Sequence, residues 1–149
     1  RALLHLIERI LPEPKRNLRA ASARIASDFI ESDLALHLED EEIDLFPLLH
    51  RRCPLADGLE RIVSLVVAEP GRNAIELRAI AGGLASVAGS RRIPSTFPSL
   101  SARFVKSQRR LLEWEDTFIL PLARRRLTDT DMGWLSERMI ERRKGRACR

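Results

Sequence analysis

Apolar residues recur every three or four positions along almost the whole chain, and this spacing constrains the fold more than any other feature. In the first segment they stand at positions 3, 4, 6, 7 and 10, which places them on one face of a helix. No stretch shows the sustained alternation of apolar and polar residues that is typical of a half-buried strand. The sequence therefore predicts an all-α protein.

Proline residues divide this pattern into separate helices. Pro12 and Pro14 end the first helix, and Pro70-Gly71 interrupts the third, because proline removes a backbone donor and crowds the preceding turn. Pro47 and Pro121 fall late in long helices, where we expect kinks. The predicted helices cover 2–11, 15–52, 56–88, 99–126 and 128–140, with a loop over 89–98 and a frayed basic tail over 142–149.

Local signals place several side chains in these helices. Ile25 and Phe29 fall in the apolar pattern of the second helix, so we expect both to face the core. Asp57 is a candidate N-cap of the third helix, and Thr128 or Thr130 of the last one, because short oxygen-bearing side chains can accept hydrogen bonds from the first free amides.

Four long helices with short connections favour an up-down four-helix bundle, with a short fifth helix towards the C-terminus. A chain of 149 residues is of ordinary size for one domain, so we expect a single bundle domain over 1–149. Because the sequence begins at Arg1 already in a helical pattern, we also expect natural residues to precede it.

The chain is basic, with 26 Lys and Arg residues against 21 Asp and Glu residues and a net charge of +5. Proteins that bind single-stranded nucleic acid combine such charge with aromatic side chains that stack on bases. Here the arginines are spread along the chain without interleaved aromatic residues, which favours a solvated basic exterior over nucleic-acid binding. No apolar run approaches the ~20 residues that span a bilayer, so we expect no membrane partner.

Cysteine usage indicates the cellular compartment. Cys53 and Cys148 are the two cysteines, and they form neither a CxxC pair nor a disulfide framework. This usage is typical of a reducing compartment. Since no signal peptide is visible either, we expect a cytoplasmic location.

Residues 35–47 read A-L-H-L-E-D-E-E-I-D-L-F-P and place a histidine four positions before a carboxylate. His37 and Glu41 would stack on one face of a helix, together with Leu34 and Leu45. Burying these polar groups is costly unless they are paired or bound to a metal, so they are either metal ligands or a buried His–Glu hydrogen bond. We expect the acids at 39, 40 and 42 to be solvated, and Asp44 to lie near the face of Glu41.

A second acid lies in an apolar stripe of the fourth predicted helix. Leu111, Glu115 and Phe118 share one face of it, and we expect all three to point inward. An inward acid needs a metal, an arginine or its own proton. Glu115 is therefore a candidate metal ligand, or one half of an ion pair with Arg109 or Arg110.

Two blocks of sequence resemble those of hemerythrin-like HHE cation-binding domains. Residues 37–47, H-L-E-D-E-E-I-D-L-F-P, resemble the family's H-x-x-x-E-E-x-x-L-F-P block. Residues 113–128, E-W-E-D-T-F-I-L-P-L-A-R-R-R-L-T, resemble the second block, in which H-x-x-x-E precedes L-P-x-A, and the end of the chain is similar to bacterial members. The resemblance implies an up-down four-helix bundle around a non-haem di-iron site, with ligands from all four helices.

Carried over by position, the resemblance implies that His37, Glu41 and Glu115 are metal ligands. Leu111 stands where the second block has histidine, Pro70 follows Ala-Glu where the third helix would supply one, Leu38 replaces another, and a first-helix histidine would precede the chain. Three donors cannot complete two coordination spheres. We therefore expect a reduced site that holds one non-haem iron, with zinc as the alternative metal, or none.

Two functions follow from this reading. The first is a hemerythrin-like metal-binding protein with iron- or oxygen-linked sensing. The alternative is a metal-free helical bundle that binds a protein partner or serves as a scaffold. Because no nucleophile–base pair or substrate-positioning motif stands out, we predict that the chain is not an enzyme.

Overall fold

The computed structural model describes residues 1–89 and 93–147, and within these ranges every regular element is helical and no strand occurs. This confirms the all-α class. None of the described helices is long and apolar enough to span a bilayer. The α-helices are α1 (Ala2–Ile10), α2 (Arg16–Phe29), α3 (Ala35–Glu39), α4 (Phe46–Arg52), α5 (Leu59–Val67), α6 (Ala74–Gly89), α7 (Phe97–Trp114), α8 (Leu120–Arg126) and α9 (Asp129–Ala147).

Within the described residues, five short helical turns of other kinds connect some of these α-helices. Three are π-helical, with a wider turn than an α-helix: π1 (Ile30–Leu34), π2 (Asp40–Leu45) and π3 (Glu115–Ile119). Two are 3-10 turns, Leu55–Asp57 and Pro70–Arg72. The second 3-10 turn confirms the predicted interruption at Pro70-Gly71.

The chain divides into two compact units, each built from two separated stretches. The first unit comprises Arg1–Leu34 and Ala68–Leu112, and the second comprises Ala35–Val67 and Glu113–Arg149. The single domain over 1–149 stays a prediction.

In the first unit, α2 packs against both α1 and α6 through small residues. Ala23, Ala26 and Ser27 are buried, and the Ser27 hydroxyl donates a hydrogen bond of 3.2 Å to the carbonyl of Ala81 in α6. Small side chains let two helix backbones approach closely, which is how α2 and α6 meet.

The prediction that Ile25 and Phe29 face the core is wrong. Ile25 is 60% exposed and Phe29 is 42% exposed. Both lie away from the stripe of small residues that α2 presents to α6, where a larger side chain would hold the two helices apart. The apolar periodicity predicts the helix correctly, but the buried face of α2 is the one that carries Ala23, Ala26 and Ser27.

In the second unit, α4 packs against π2, α5 and α8, and α9 packs against π2. Except in π2, whose buried residues are acids, the residues buried in this unit are mostly aliphatic and come from α3, α4, α5, π3, α8 and α9. They include Leu38, Leu49, Val66, Ile119, Leu122 and Leu135. Phe118, which was predicted to point inward, is instead exposed, because the wide turn π3 rotates it off the α-helical stripe.

The structure accommodates Pro47 and Pro121 in the same way. Each is the second residue of a new α-helix that directly follows a π turn. In both turns the amide just before the proline donates to a carbonyl five positions earlier, that of Glu41 in π2 and that of Glu115 in π3. Proline lacks the backbone N–H that would donate to the carbonyl four residues earlier. The π turn before each proline accommodates this missing hydrogen bond within an otherwise continuous helix.

Two predictions about helix ends are corrected by ion pairs. Asp57 does not cap α5, which begins at Leu59 after Gly58 in the left-handed conformation (φ 64°); instead its carboxylate accepts hydrogen bonds from Arg126. The tail is not frayed over its described part, because α9 continues to Ala147 and Arg142 pairs with buried acids.

The 3-10 turn at Pro70 predicts a cost for any side chain at Gly71. The Gly71 amide donates to the Ser107 hydroxyl (2.9 Å) and its carbonyl accepts from the Gln108 amide (2.8 Å). A Cβ atom here would lie 2.8 Å from each of those two side chains. We expect Gly71→Ala to destabilise the protein by about 1–3 kcal/mol in urea unfolding. Gly82→Ala, where the space is open, should stabilise it by about 0.5–1 kcal/mol, and equal effects of the two would contradict this account.

Thr128 caps α9, as predicted, and does so together with Asp131. The Asp131 amide donates to the Thr128 hydroxyl (3.2 Å), while the Thr128 amide and hydroxyl donate to the Asp131 carboxylate. The Arg52 guanidinium also donates to this carboxylate, and together these bonds lower the pKa of Asp131 well below its ordinary value.

A lowered pKa in the folded state means that ionised Asp131 stabilises the fold above its ordinary pKa of 3.8, and that this contribution is lost as the pH falls further. We expect Asp131→Asn to lower stability at pH 7 and to flatten the loss of stability below about pH 4. Urea unfolding between pH 2 and 7 measures both effects. Asp129→Asn, an exposed neighbour in the same turn, should leave the profile unchanged.

Candidate metal centre

The three predicted ligands come from three different helical segments of the second unit. His37 lies in α3, Glu41 lies in π2, and Glu115 is the first residue of π3. Glu41 and Glu115 each stand six residues before a proline and accept the π-type hydrogen bond of their turn. The two carboxylates therefore occupy equivalent positions in two similar turns.

The structure brings these three side chains together. The Nε2 atom of His37 lies 3.6 Å from Oε1 of Glu41 and 3.7 Å from Oε1 of Glu115. One ligand atom from each of the three residues can be chosen so that all lie within 4.8 Å of one another. Among the residues that the structure describes, no other group of three or more His, Cys, Asp or Glu side chains converges in this way.

The site is closed on the carboxylate side and open on the histidine side. The Glu41 side chain is 5% exposed, that of Glu115 14%, and that of His37 45%. Two carboxylates in a poorly hydrated position repel each other unless a cation or a proton compensates their charge. The arrangement can thus accommodate a positive charge such as that of a metal ion.

The donor set suits one metal ion. A tetrahedral ion with bonds of about 2.0–2.2 Å needs ligand atoms about 3.4 Å apart. The His37–Glu41 and His37–Glu115 distances exceed this by only a few tenths of an ångström. One imidazole nitrogen and two carboxylate oxygens suit iron or zinc, with water in the remaining positions, and are too few for two ions.

Glu115 does not form the ion pair with Arg109 or Arg110 that was the alternative to metal binding. Arg109 donates to the carboxylate of Glu8 (2.7 Å), and Arg110 donates to the carboxylate of Glu69 (2.9 Å). The Glu115 carboxylate lies instead beside His37, at 3.7 Å, and near Glu41.

The positions where the resemblance expects further histidines are occupied by structural residues. Leu111 and Leu38 are buried apolar side chains and offer no donor. Glu69, just before Pro70, is buried and accepts hydrogen bonds from the Ser107 hydroxyl (2.6 Å) and from Arg110. Leu38 and Leu111 therefore contribute to packing, and Glu69 to a buried hydrogen-bond network, and none of the three contributes to the candidate metal centre.

Asp40 and Asp44 are the residues that sequence reasoning misjudged. Asp40, predicted to be solvated, is buried, and so is Asp44, which was predicted only to lie near Glu41. Both accept hydrogen bonds from Arg142, whereas Glu39 and Glu42 are exposed as predicted. A sequence signal existed, since the acids at 40 and 44 and the arginines at 138 and 142 share a spacing of four residues.

Cys53 does not belong to the centre. It is partly buried at the end of α4, and this burial, with a smaller effect from Asp57, raises the pKa of its thiol. A thiol with a raised pKa is a poor nucleophile and a poor metal ligand at neutral pH. Cys148 lies outside the described residues.

Comparisons with models of protein families, with curated proteins and with solved structures found no match to this chain.

Proposed function

We propose that this chain is an up-down four-helix bundle of the hemerythrin-like kind that holds one non-haem metal ion through His37, Glu41 and Glu115. The bound ion serves iron- or oxygen-linked sensing rather than catalysis. The observation that carries the proposal is that one imidazole and two carboxylates each offer a ligand atom within 4.8 Å of the other two.

The local backbone supports this reading. π turns are uncommon in helical proteins and often occur at functional sites. Here two of them present a carboxylate at the same position of the turn, and the two carboxylates lie beside the same histidine. A purely structural proline bulge would not require an acid at that position in both turns.

The partial exposure of the site to solvent supports a role in sensing, because a bound ion could be reached by small molecules. Iron in this position would supply a redox-active centre with coordination positions left for water or a small ligand. His37 forms the exposed edge of the site, while Glu41 and Glu115 hold the buried side. An ion bound there can exchange with solvent, so its occupancy can follow the supply of metal.

The alternative is a metal-free partner-binding module, and one observation favours it. Leu18, Ile25 and Phe29 are all exposed on α2, at spacings of seven and four residues that place them on one face. An exposed apolar face of a helix is typical of a protein-interaction surface. In this alternative the three side chains of the candidate site form an ion-paired cluster.

Metal titration separates the two functions. Protein stripped with a chelator should take up one Zn²⁺, or one Fe²⁺ without oxygen, per chain, and at 100 times the dissociation constant should gain about 2.7 kcal/mol of stability. Chelator should reverse the gain. His37→Ala should abolish it, while His50→Ala, at an exposed position, should not. Failure to take up either metal would contradict the proposal and favour the partner-binding module.

A further inference from the structure

An arginine clamp joins α9 to the π turn that carries Glu41. Arg142 donates from Nη1 to Oδ1 of Asp40, and from Nη2 to Oδ2 of Asp44 at 2.5 Å. Arg143 lies 2.8 Å from the other oxygen of Asp40, and Arg138 lies 3.6 Å from Oδ1 of Asp44. We use the term arginine clamp for these five residues.

The clamp is largely shielded from water. The Asp40 and Asp44 side chains are each 3% exposed, and that of Arg142 is 13% exposed. Buried carboxylates are tolerated only when they are paired and hydrogen-bonded, so their position depends on the arginine that bridges them. A guanidinium reaches two acceptors from a fixed planar fork and therefore also fixes the distance between them.

The clamp encloses Glu41 within one turn. Asp40 directly precedes Glu41 and Asp44 follows it three residues later, and all three belong to π2. A π turn is an irregular segment that can relax to another hydrogen-bonding register, which would move the Glu41 carboxylate away from His37. Fixing the turn at both of these positions prevents such a change.

We propose that Arg142 is a positioning residue of the candidate metal centre: by bridging Asp40 and Asp44 it holds π2 in the form that presents Glu41 to the metal. This rests on the proposed function. The affinity of the centre for metal then depends on the seating of α9 against π2. Hydrogen-bonding partners that orient a ligand without touching the metal change affinity by about 10- to 100-fold in other metal sites.

The test compares Arg142→Gln with Lys144→Gln, which removes one positive charge from an exposed position of the same helix. Calorimetric titration of the stripped proteins with Zn²⁺ should show affinity lowered about 10- to 100-fold in Arg142→Gln and unchanged in Lys144→Gln. Arg142→Lys keeps the positive charge but loses the planar guanidinium that reaches two acceptors. Its affinity for Zn²⁺ should therefore fall between those of Arg142→Gln and wild type.

Hydrogen exchange in the metal-free proteins provides a second readout. Amides of Asp40–Leu45 should exchange faster in Arg142→Gln than in wild type, while those of α5 should not change. A folded Arg142→Gln variant with wild-type Zn²⁺ affinity would overturn the positioning role and leave the proposed function intact. A wild type that takes up no metal would overturn both.

A triple variant keeps the test decisive if Arg142→Gln does not fold. Asp40→Asn, Asp44→Asn and Arg142→Gln together remove the uncompensated buried charges along with the bridge. The triple variant should fold, bind Zn²⁺ more weakly than wild type and exchange its π2 amides faster. Wild-type affinity in this variant would overturn the positioning role.

Discussion

Replacing Glu41 with glutamine is expected to lower the affinity for Zn²⁺ or Fe²⁺ by more than the roughly 100-fold limit seen for residues that only orient a ligand. The amide keeps the size of the side chain but removes the negative charge and most of the donor strength of the oxygen. Glu41 supplies one of three donors and is the most buried of them, and among the described residues no fourth imidazole, thiol or carboxylate converges with these three.

Calorimetry on the stripped protein measures this loss, with thermal unfolding as a second readout. Glu113→Gln makes the same chemical change two residues before Glu115, at an exposed position, and should bind metal like wild type. The metal-free Glu41→Gln protein should be no less stable than wild type, since it has one fewer charge in a pair of facing carboxylates. Equal affinities in the two variants would exclude Glu41 as a ligand.

Phe97→Ala should be the most destabilising of these single changes, by about 3–5 kcal/mol. Phe97 is the first residue of α7 and is fully buried. Its ring lies against Gly83 of α6, where a built Cβ atom would come within 3.1 Å of the ring. Removing the ring leaves a cavity beside a residue that has no side chain to fill it.

Urea unfolding of Phe29→Ala is the matched control for that cavity. Phe29 is 42% exposed, so we expect its truncation to cost well under 1.5 kcal/mol. This pair also tests the corrected face of α2. Comparable losses at the two positions would mean that Phe29 is packed in solution, as periodicity alone predicts.

The parts of the fold that follow from local chemistry could be predicted from the sequence. Helices end or change form at Pro12, Pro70 and Pro121 because proline lacks a donor wherever it occurs. The capping role of Thr128 depends only on the next few residues. The spacing of His37 and Glu41 placed them on one side of the helix whether the turn between them was α or π.

The remaining features depend on contacts that no local pattern contains. The buried face of α2 is set by how closely α6 approaches, so the apolar side chains of Ile25 and Phe29 misled the prediction. Phe118 does not lie on the buried face that carries Leu111, because the wider turn π3 changes the angle between successive side chains. The up-down bundle and the hemerythrin-like relationship stay predictions.

The pair of Arg142 and Asp40 joins positions that are 102 residues apart in sequence. Contacts of such separation must overcome the entropy of closing a long loop before they contribute to stability. Before α9 packs against π2, Asp40 and Asp44 lack Arg142 as a partner, so the hydrated form of these carboxylates has the lower free energy. We therefore expect the turn that bears Glu41 to become ordered only when α9 packs against it, so that the metal centre is completed no earlier than this long-range contact.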